Sequence, residues 1–161
     1  MANKLQIYLD TSVVCHLFHD DAPQRRDETR LFFDNGIARR LYAAYISDAV
    51  LDEIRKTPDP VRRAELMDVL RDYGLTRLPP TTPEIARLAK LYQDRKIVPA
   101  RNRMDAMHLA FFTVFRMDAL VTWNFRHLAR SQTEALVNGT NLMEGYHGTL
   151  RLITPLELAN P

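Results

Sequence analysis

An apolar run, Leu5 to Leu9 in "LQIYLDTSVV", ends in a carboxylate, Asp10, and two hydroxyls follow at once, Thr11 and Ser12. Further on, Glu53 stands about one and a half to two turns into a helical stretch that begins at Ser47-Asp48, just after the strand-like "LYAAYI". Asp105 falls in the first turn of "RMDAMHLA", and Asn124, polar but neutral, follows "ALVTW". Carboxylates brought together repel, so a set of three is costly unless a cation sits among them. Mg²⁺ and Mn²⁺ suit such a set, because they take oxygen ligands and accept one or two carboxylates plus water and substrate phosphate. An ion of this kind lowers the pKa of a water and offsets charge that develops on a phosphate. Thr11 or Ser12 would then orient Asp10. Each acid also has a purely structural reading. Asp10 is placed to cap a helix, Glu53 to be a solvated helix acid, and Asp105 to complement a helix dipole. With 20 acids in the chain, spacing alone leaves both readings open.

The elements that must position these groups alternate. Strands are expected at "LQIYL", "LYAAYI" (41–46), "LTRL" (75–78), "ALVTW" (119–123) and "LRLI" (150–153). Helices are expected from Thr11 or Ser12, over 24–36 with Asn35-Gly36 as its stop, and from Ser47-Asp48 to the break at Thr57-Pro58. Others are expected over 61–74, 84–95, 103–117 and 125–145, the last with a weak spot at Asn138-Gly139. This pattern predicts an α/β fold with a short, mainly parallel sheet and helices on both faces. Parallel strands end on one edge, where open α/β sheets hold ligands, and the helices that follow them begin there.

The chain has 161 residues and reads as one domain, 1–161, with no repeat, low-complexity segment or long linker. With 46% hydrophobic and 26% charged residues it has an ordinary globular composition. A net charge of +2 neither demands nor excludes nucleic acid. The single cysteine, Cys15, excludes an internal disulfide and a cysteine zinc site, fits a reducing compartment, and is expected to pack rather than react. No apolar run reaches the ~18 residues of a membrane span, and the N-terminus does not resemble a signal peptide, so a cytoplasmic location is expected.

Four segments in order, "IYLDTSVV", "YISDAVLDEI", "RMDAMHLAFF" and "LVTWNFRHLA", resemble the PIN-domain family, and within it the VapC-like toxins of type II toxin–antitoxin pairs. The closing "GYHGTLRLITPLEL" fits the same branch, so the likeness runs from about Leu5 to Leu158. The resemblance implies a three-layer α/β/α domain and a Mg²⁺- or Mn²⁺-dependent endoribonuclease. It also implies an RNA substrate, an antitoxin that blocks the site, and a homodimer. Carried over by motif, Asp10, Glu53 and Asp105 form the catalytic and metal-binding acids. Hydrolysis by this route leaves 5′-phosphate and 3′-hydroxyl ends. Many members carry an acid where this chain has Asn124, so Asn124 is assigned to substrate or to orienting the acids, with Thr11, Ser12, His108 and Arg103.

Other residues are ambiguous on sequence alone. His108, three residues after Asp105, either touches substrate or simply packs; His127 has the same ambiguity, and His16 and His19 are expected at the surface. Arg95, Lys96, Arg101 and Arg103 precede Asp105, and Arg126 and Arg130 follow the fourth strand. They offer phosphate contacts or a solvated basic face. Trp123 is a candidate for base stacking or for the core. Nothing supports a zinc hydrolase, an aspartic protease or an aspartyl phosphatase: there is no HExxH, and the place two residues after Asp10 is Ser12. A DNA nuclease of the wider fold has little room in this length. A PIN-fold module that has lost catalysis and only binds RNA or protein is the main alternative.

Overall fold

A computed structural model of the chain describes residues 3–124 and 130–159. Among the described residues there are five strands, β1 (Leu5–Leu9), β2 (Tyr42–Ile46), β3 (Thr76–Arg77), β4 (Ala119–Val121) and β5 (Leu152–Ile153). They form one sheet in the order β3-β2-β1-β4-β5, and every pairing is parallel. β1 is central, with Ile7 beside Ala44 on one side and Ala119 on the other. The short, mainly parallel sheet expected from the sequence is thus parallel throughout.

Strand alternation divides the core into two layers. Ile7 and Leu9 point into one, with Val13 and Val14 of α1 (Thr11–His16), Phe32 of α2 (Pro23–Phe32), and Leu66, Val69 and Leu70 of α4 (Pro60–Asp72). Tyr8 points into the other, with Ile85, Leu88 and Tyr92 of α5 (Pro83–Asp94), residues of α6 (Arg103–Val114), and Val137 of α7 (Arg130–Met143). α6 is buried without a break from Ala106 to Thr113, which is why its sequence is apolar all round. α3 (Asp48–Arg55) contributes to both layers, Val50 and Ile54 to the first and Ala49 to the second.

Local chemistry sets several helix starts. Ser47, Asp59 and Thr82 each accept a hydrogen bond from a first-turn amide, and Pro60 and Pro83 follow two of these caps. Gly74 closes α4 with φ +62°. The helix expected over 24–36 does not run to Gly36 in α form. It gives way to a π-turn at Phe33–Ile37, where Gly36 lies against the Tyr42 ring and a Cβ would come within 2.8 Å of that ring. The 103–117 helix ends at Val114, and Arg116 takes φ +53° so that Met117 turns back into the core. α7 continues through Asn138-Gly139 without the expected weakness. Its predicted start, Phe125 to Ala129, lies outside the described residues. A short α8 (Pro155–Ala159) was not expected. It is closed by a Thr154/Glu157 capping box, in which the Glu157 carboxylate accepts from Thr154 N at 2.6 Å and Thr154 Oγ1 accepts from Glu157 N at 3.4 Å.

Candidate active site

β1 carries Asp10 to the C-terminal edge of the sheet, where the Asp10 amide donates to the Val121 carbonyl of β4 at 3.2 Å. Although Asp10 occupies the N-cap position of α1, its side chain caps nothing. It is 4% exposed. One carboxylate oxygen accepts from Ser12 Oγ at 2.5 Å, and the other accepts from Thr122 Oγ1. Those hydroxyls are themselves fixed, since Trp123 N donates to Ser12 Oγ at 3.0 Å and Asn124 N to Thr122 Oγ1 at 2.9 Å. Burial raises the Asp10 pKa. The charge of His108 and the two hydroxyl donors offset this in part, and the charge of Glu53 adds to it. The sign follows: a carboxyl raised above its unfolded value favours folding at pH below that value, and the benefit is lost as pH rises through the folded pKa. Ionising Asp10 is therefore a cost to folding in the apoprotein.

Glu53, on α3, is differently placed. Its Oε1 accepts from Thr11 Oγ1 at 2.6 Å and from His108 Nε2 at 2.7 Å. Burial pushes its pKa up, but the hydrogen bond and charge of His108 and the Thr11 hydroxyl pull it down further, and the net shift is downward. Glu53 thus favours folding above its unfolded pKa, and the benefit is lost as pH falls through the lower folded value.

His108 sits at the centre of the acids. It is 3% exposed, with Nδ1 hydrogen-bonded to Tyr8 OH at 2.6 Å. Burial lowers its pKa, but the Glu53 hydrogen bond and the charges of Asp10, Glu53 and Asp105 outweigh that and raise it. Of the three sequence-predicted acids, Glu53 hydrogen-bonds this buried imidazole, and Asp10 and Asp105 act on it through their charge. Both ring nitrogens are engaged, so His108 cannot take a cation without breaking one of these bonds.

A cleft of about 650 Å³ opens beside this centre. Asp10, Asp105, His108 and Asn124 line it, with Arg101, Asn102, Arg130 and Thr133 on its polar side and Ile97, Val98, Leu120 and Leu152 among its apolar walls. Glu53 is not among the lining residues. Among the described residues, no three His, Cys, Asp or Glu side chains stand close enough to hold one ion together. Asp10 and Asp105 line this cleft, while Glu53 faces His108 and Thr11. Two carboxylates with the amide oxygen of Asn124 still suit a hard divalent ion that keeps several waters. A cation would also offset the buried charge of Asp10.

The remaining candidates separate clearly. Arg101 and Arg130 line the cleft, and Arg130 also pairs with Glu157 at 2.7 Å. Arg103 is exposed and does not line it. Lys96 is exposed, and Arg95 reaches Thr140 of α7 at 3.3 Å. Trp123 is 8% exposed and its indole donates to Thr29 Oγ1 at 2.8 Å, so it belongs to the core. His16 is half-buried rather than at the surface, with Nδ1 on the Ser12 carbonyl at 2.7 Å. His19 is half-buried as well, its ring centroid 4.4 Å from that of His16. Cys15 packs against the first core layer, and burial pushes its thiol up to about 11, which makes it a poor nucleophile. Arg126 and His127 lie outside the described residues. Sequence reasoning missed Thr122, Tyr8 and the inward role of Ser47. The one available signal was Tyr8, a hydroxyl in a strand otherwise fit for burial, which must find a partner.

A family model described as "PIN domain" matches residues 7–130. The solved structures similar to the chain include a crystal structure of VapBC2 from Rickettsia felis bound to a DNA fragment from their promoter. The matched chain there is 13% identical, with a TM-score of 0.55, and the alignment covers 93% of this chain and 98% of that one. At this identity the likeness is one of fold. Comparison with curated proteins gave no match.

Proposed function

This chain belongs to the PIN-domain family, and from that membership we propose that it is a divalent-metal-dependent endoribonuclease, the toxin of a type II toxin–antitoxin pair. The observation that carries the reading is the meeting of Asp10, Asp105 and Asn124 in one cleft, with Glu53 locked behind them on His108. A bound Mg²⁺ or Mn²⁺ would supply an activated water and would offset negative charge on the phosphodiester. Asp10 and Asp105 would hold the ion directly. Asn124 would orient a water or a phosphate oxygen, while Glu53 adds its charge from behind. Ser12 and Thr122 keep Asp10 in a fixed rotamer, so little reorganisation is left for the reaction itself. Arg101 and Arg130 would draw the RNA backbone into the cleft. The likeness to a VapBC complex supports an antitoxin partner for this chain. A homodimer and a cytoplasmic location are part of the same proposal. Among the described residues, no helix is long and apolar enough to cross a membrane.

Asn124 in place of an acid, and Glu53 turned away from the cleft, favour the alternative of a binding module without catalysis. Purified protein incubated with single-stranded RNA and Mn²⁺ separates the two. The nuclease reading expects cleavage that EDTA abolishes and that Asp10→Asn and Asp105→Asn each remove while the fold survives. Absence of cleavage together with unaltered RNA binding in both variants would establish the binding module instead.

A further inference from the structure

A chain of buried hydrogen bonds runs from one helix cap to Glu53 through three elements. Ser47 Oγ, at the cap of α3, accepts from Ala49 N at 3.2 Å and meets Tyr8 OH at 2.6 Å. Tyr8, on the central strand, is fully buried and meets His108 Nδ1 at 2.6 Å. His108 Nε2 lies 2.7 Å from Glu53 Oε1, which Thr11 Oγ1 also reaches at 2.6 Å. Glu53 Oε2 has no hydrogen-bond partner among the described residues, and the Glu53 side chain is 32% exposed.

We propose that Tyr8 is a positioning residue. Its hydroxyl, held by Ser47, fixes His108 with a proton on Nε2, so that His108 and Thr11 clamp one oxygen of Glu53 and hold the charge of that carboxylate in one fixed place beside the cleft, with Oε2 unclamped. Proton accounting starts from the carboxylate. Glu53 Oε1 can only accept, so Nε2 carries a ring proton. In a neutral ring Nδ1 is then an acceptor and takes the Tyr8 proton, and the Tyr8 oxygen is left to accept from Ser47 Oγ. The opposite tautomer would set a bare ring nitrogen 2.7 Å from a carboxylate oxygen, two acceptors in contact with no proton between them. If the ring is charged, Tyr8 turns to donate to Ser47 and the Nε2 proton still faces Glu53. The relay has a mechanical side as well. Ser47 begins the helix that carries Glu53 six residues later, so the same hydroxyl sets the helix start and, through Tyr8 and His108, the rotamer of its acid. Groups hydrogen-bonded to a metal ligand typically change metal affinity by one to two orders of magnitude when removed, and Tyr8 acts one bond further out, through His108. The metal part of the proposal rests on the nuclease reading above; the tautomer part does not.

Two measurements test it. Long-range ¹H–¹⁵N correlation spectra of the metal-free wild type, at a pH where the ring is neutral, should show His108 solely as the Nε2–H tautomer. An Nδ1–H tautomer would overturn the relay, and this measurement needs no variant to fold. The second is a double-mutant cycle read by Mn²⁺ titration. Tyr8→Phe, which keeps the ring and removes the hydroxyl, should raise the Mn²⁺ dissociation constant about tenfold or more. In the His108→Gln background, where the side chain still offers Glu53 an amide donor but has no ring nitrogen for Tyr8, Tyr8→Phe should have no further effect. Equal weakening in both backgrounds would mean that Tyr8 acts by packing alone, and the proposal would fail. If no protein in the cycle binds Mn²⁺, the nuclease reading falls, while the tautomer spectrum still decides the relay.

Discussion

Thr122→Val isolates one hydrogen bond at the centre of the site. Valine keeps the shape of threonine and loses its hydroxyl. In the folded protein that hydroxyl donates to Asp10, whose carboxylate is 4% exposed, so water cannot readily take its place. A hydrogen bond to a charged group contributes about 1.5 to 3 kcal/mol, against about 1 kcal/mol for a neutral one. The Asn124 amide also loses its acceptor, but Asn124 is exposed and finds water. For a chain of this length 1 kcal/mol shifts Tm by about 2 to 4 °C, so the metal-free variant should melt about 3 to 12 °C below wild type at neutral pH. The sign of the pH dependence is fixed by Asp10. The full penalty applies only while Asp10 is ionised, and burial holds its pKa above the ordinary carboxylate value. The Tm gap should therefore narrow as pH falls through that pKa, toward the smaller cost of a neutral bond. Differential scanning calorimetry of both proteins across the acid range reads this directly. A gap that stays constant with pH, or no gap at all, would refute the placement of a charged Asp10 against Thr122.

Asn124→Asp should add a negative ligand beside Asp10 and Asp105, tighten Mn²⁺ in a calorimetric titration, and move RNA cleavage to lower metal concentration. Asn124→Ala should cost only about 1 kcal/mol of transition-state stabilisation, the size of one neutral hydrogen bond. Unchanged metal dependence in Asn124→Asp would put residue 124 outside the ion's reach. Arg101→Ala should flatten the plot of log RNA affinity against log salt by up to ~0.7, one phosphate contact on a single strand, while Arg103→Ala, outside the cleft, should leave the slope alone. Gly36→Ala should destabilise by about 1 to 3 kcal/mol in denaturant unfolding, because the new Cβ meets a Tyr42 ring whose hydroxyl is tied to the Leu158 carbonyl. Gly139→Ala, in α7 with nothing within 4 Å, should instead stabilise by about 0.5 to 1 kcal/mol in the same assay.

What the sequence determined by itself was the layout. Alternating strand and helix patterns, strand-end polar residues, the cap at Ser47 and the stop at Gly74 are local signals, and local signals survive folding. They place Asp10 and the helix of Glu53 at one sheet edge, because parallel strands all end there, and Asp105 opens a helix that leads back to the start of β4. The capping box at Thr154 and Glu157 was missed, because Pro155 reads first as a terminator rather than as the first residue of a helix. The π-turn after Phe32 was not legible, since it answers to the Tyr42 ring across the sheet edge rather than to its own residues. Only tertiary structure decided what each acid does. Asp10 and Asp105 share a cleft, while Glu53 gives its oxygen to Thr11 and to a histidine 55 positions away. Tyr8, Ser47 and Thr122 enter the site through partners 39 to 112 positions distant. Their roles come from hydroxyl protons that must find acceptors once water is excluded, and no periodicity along the chain encodes which acceptor that will be.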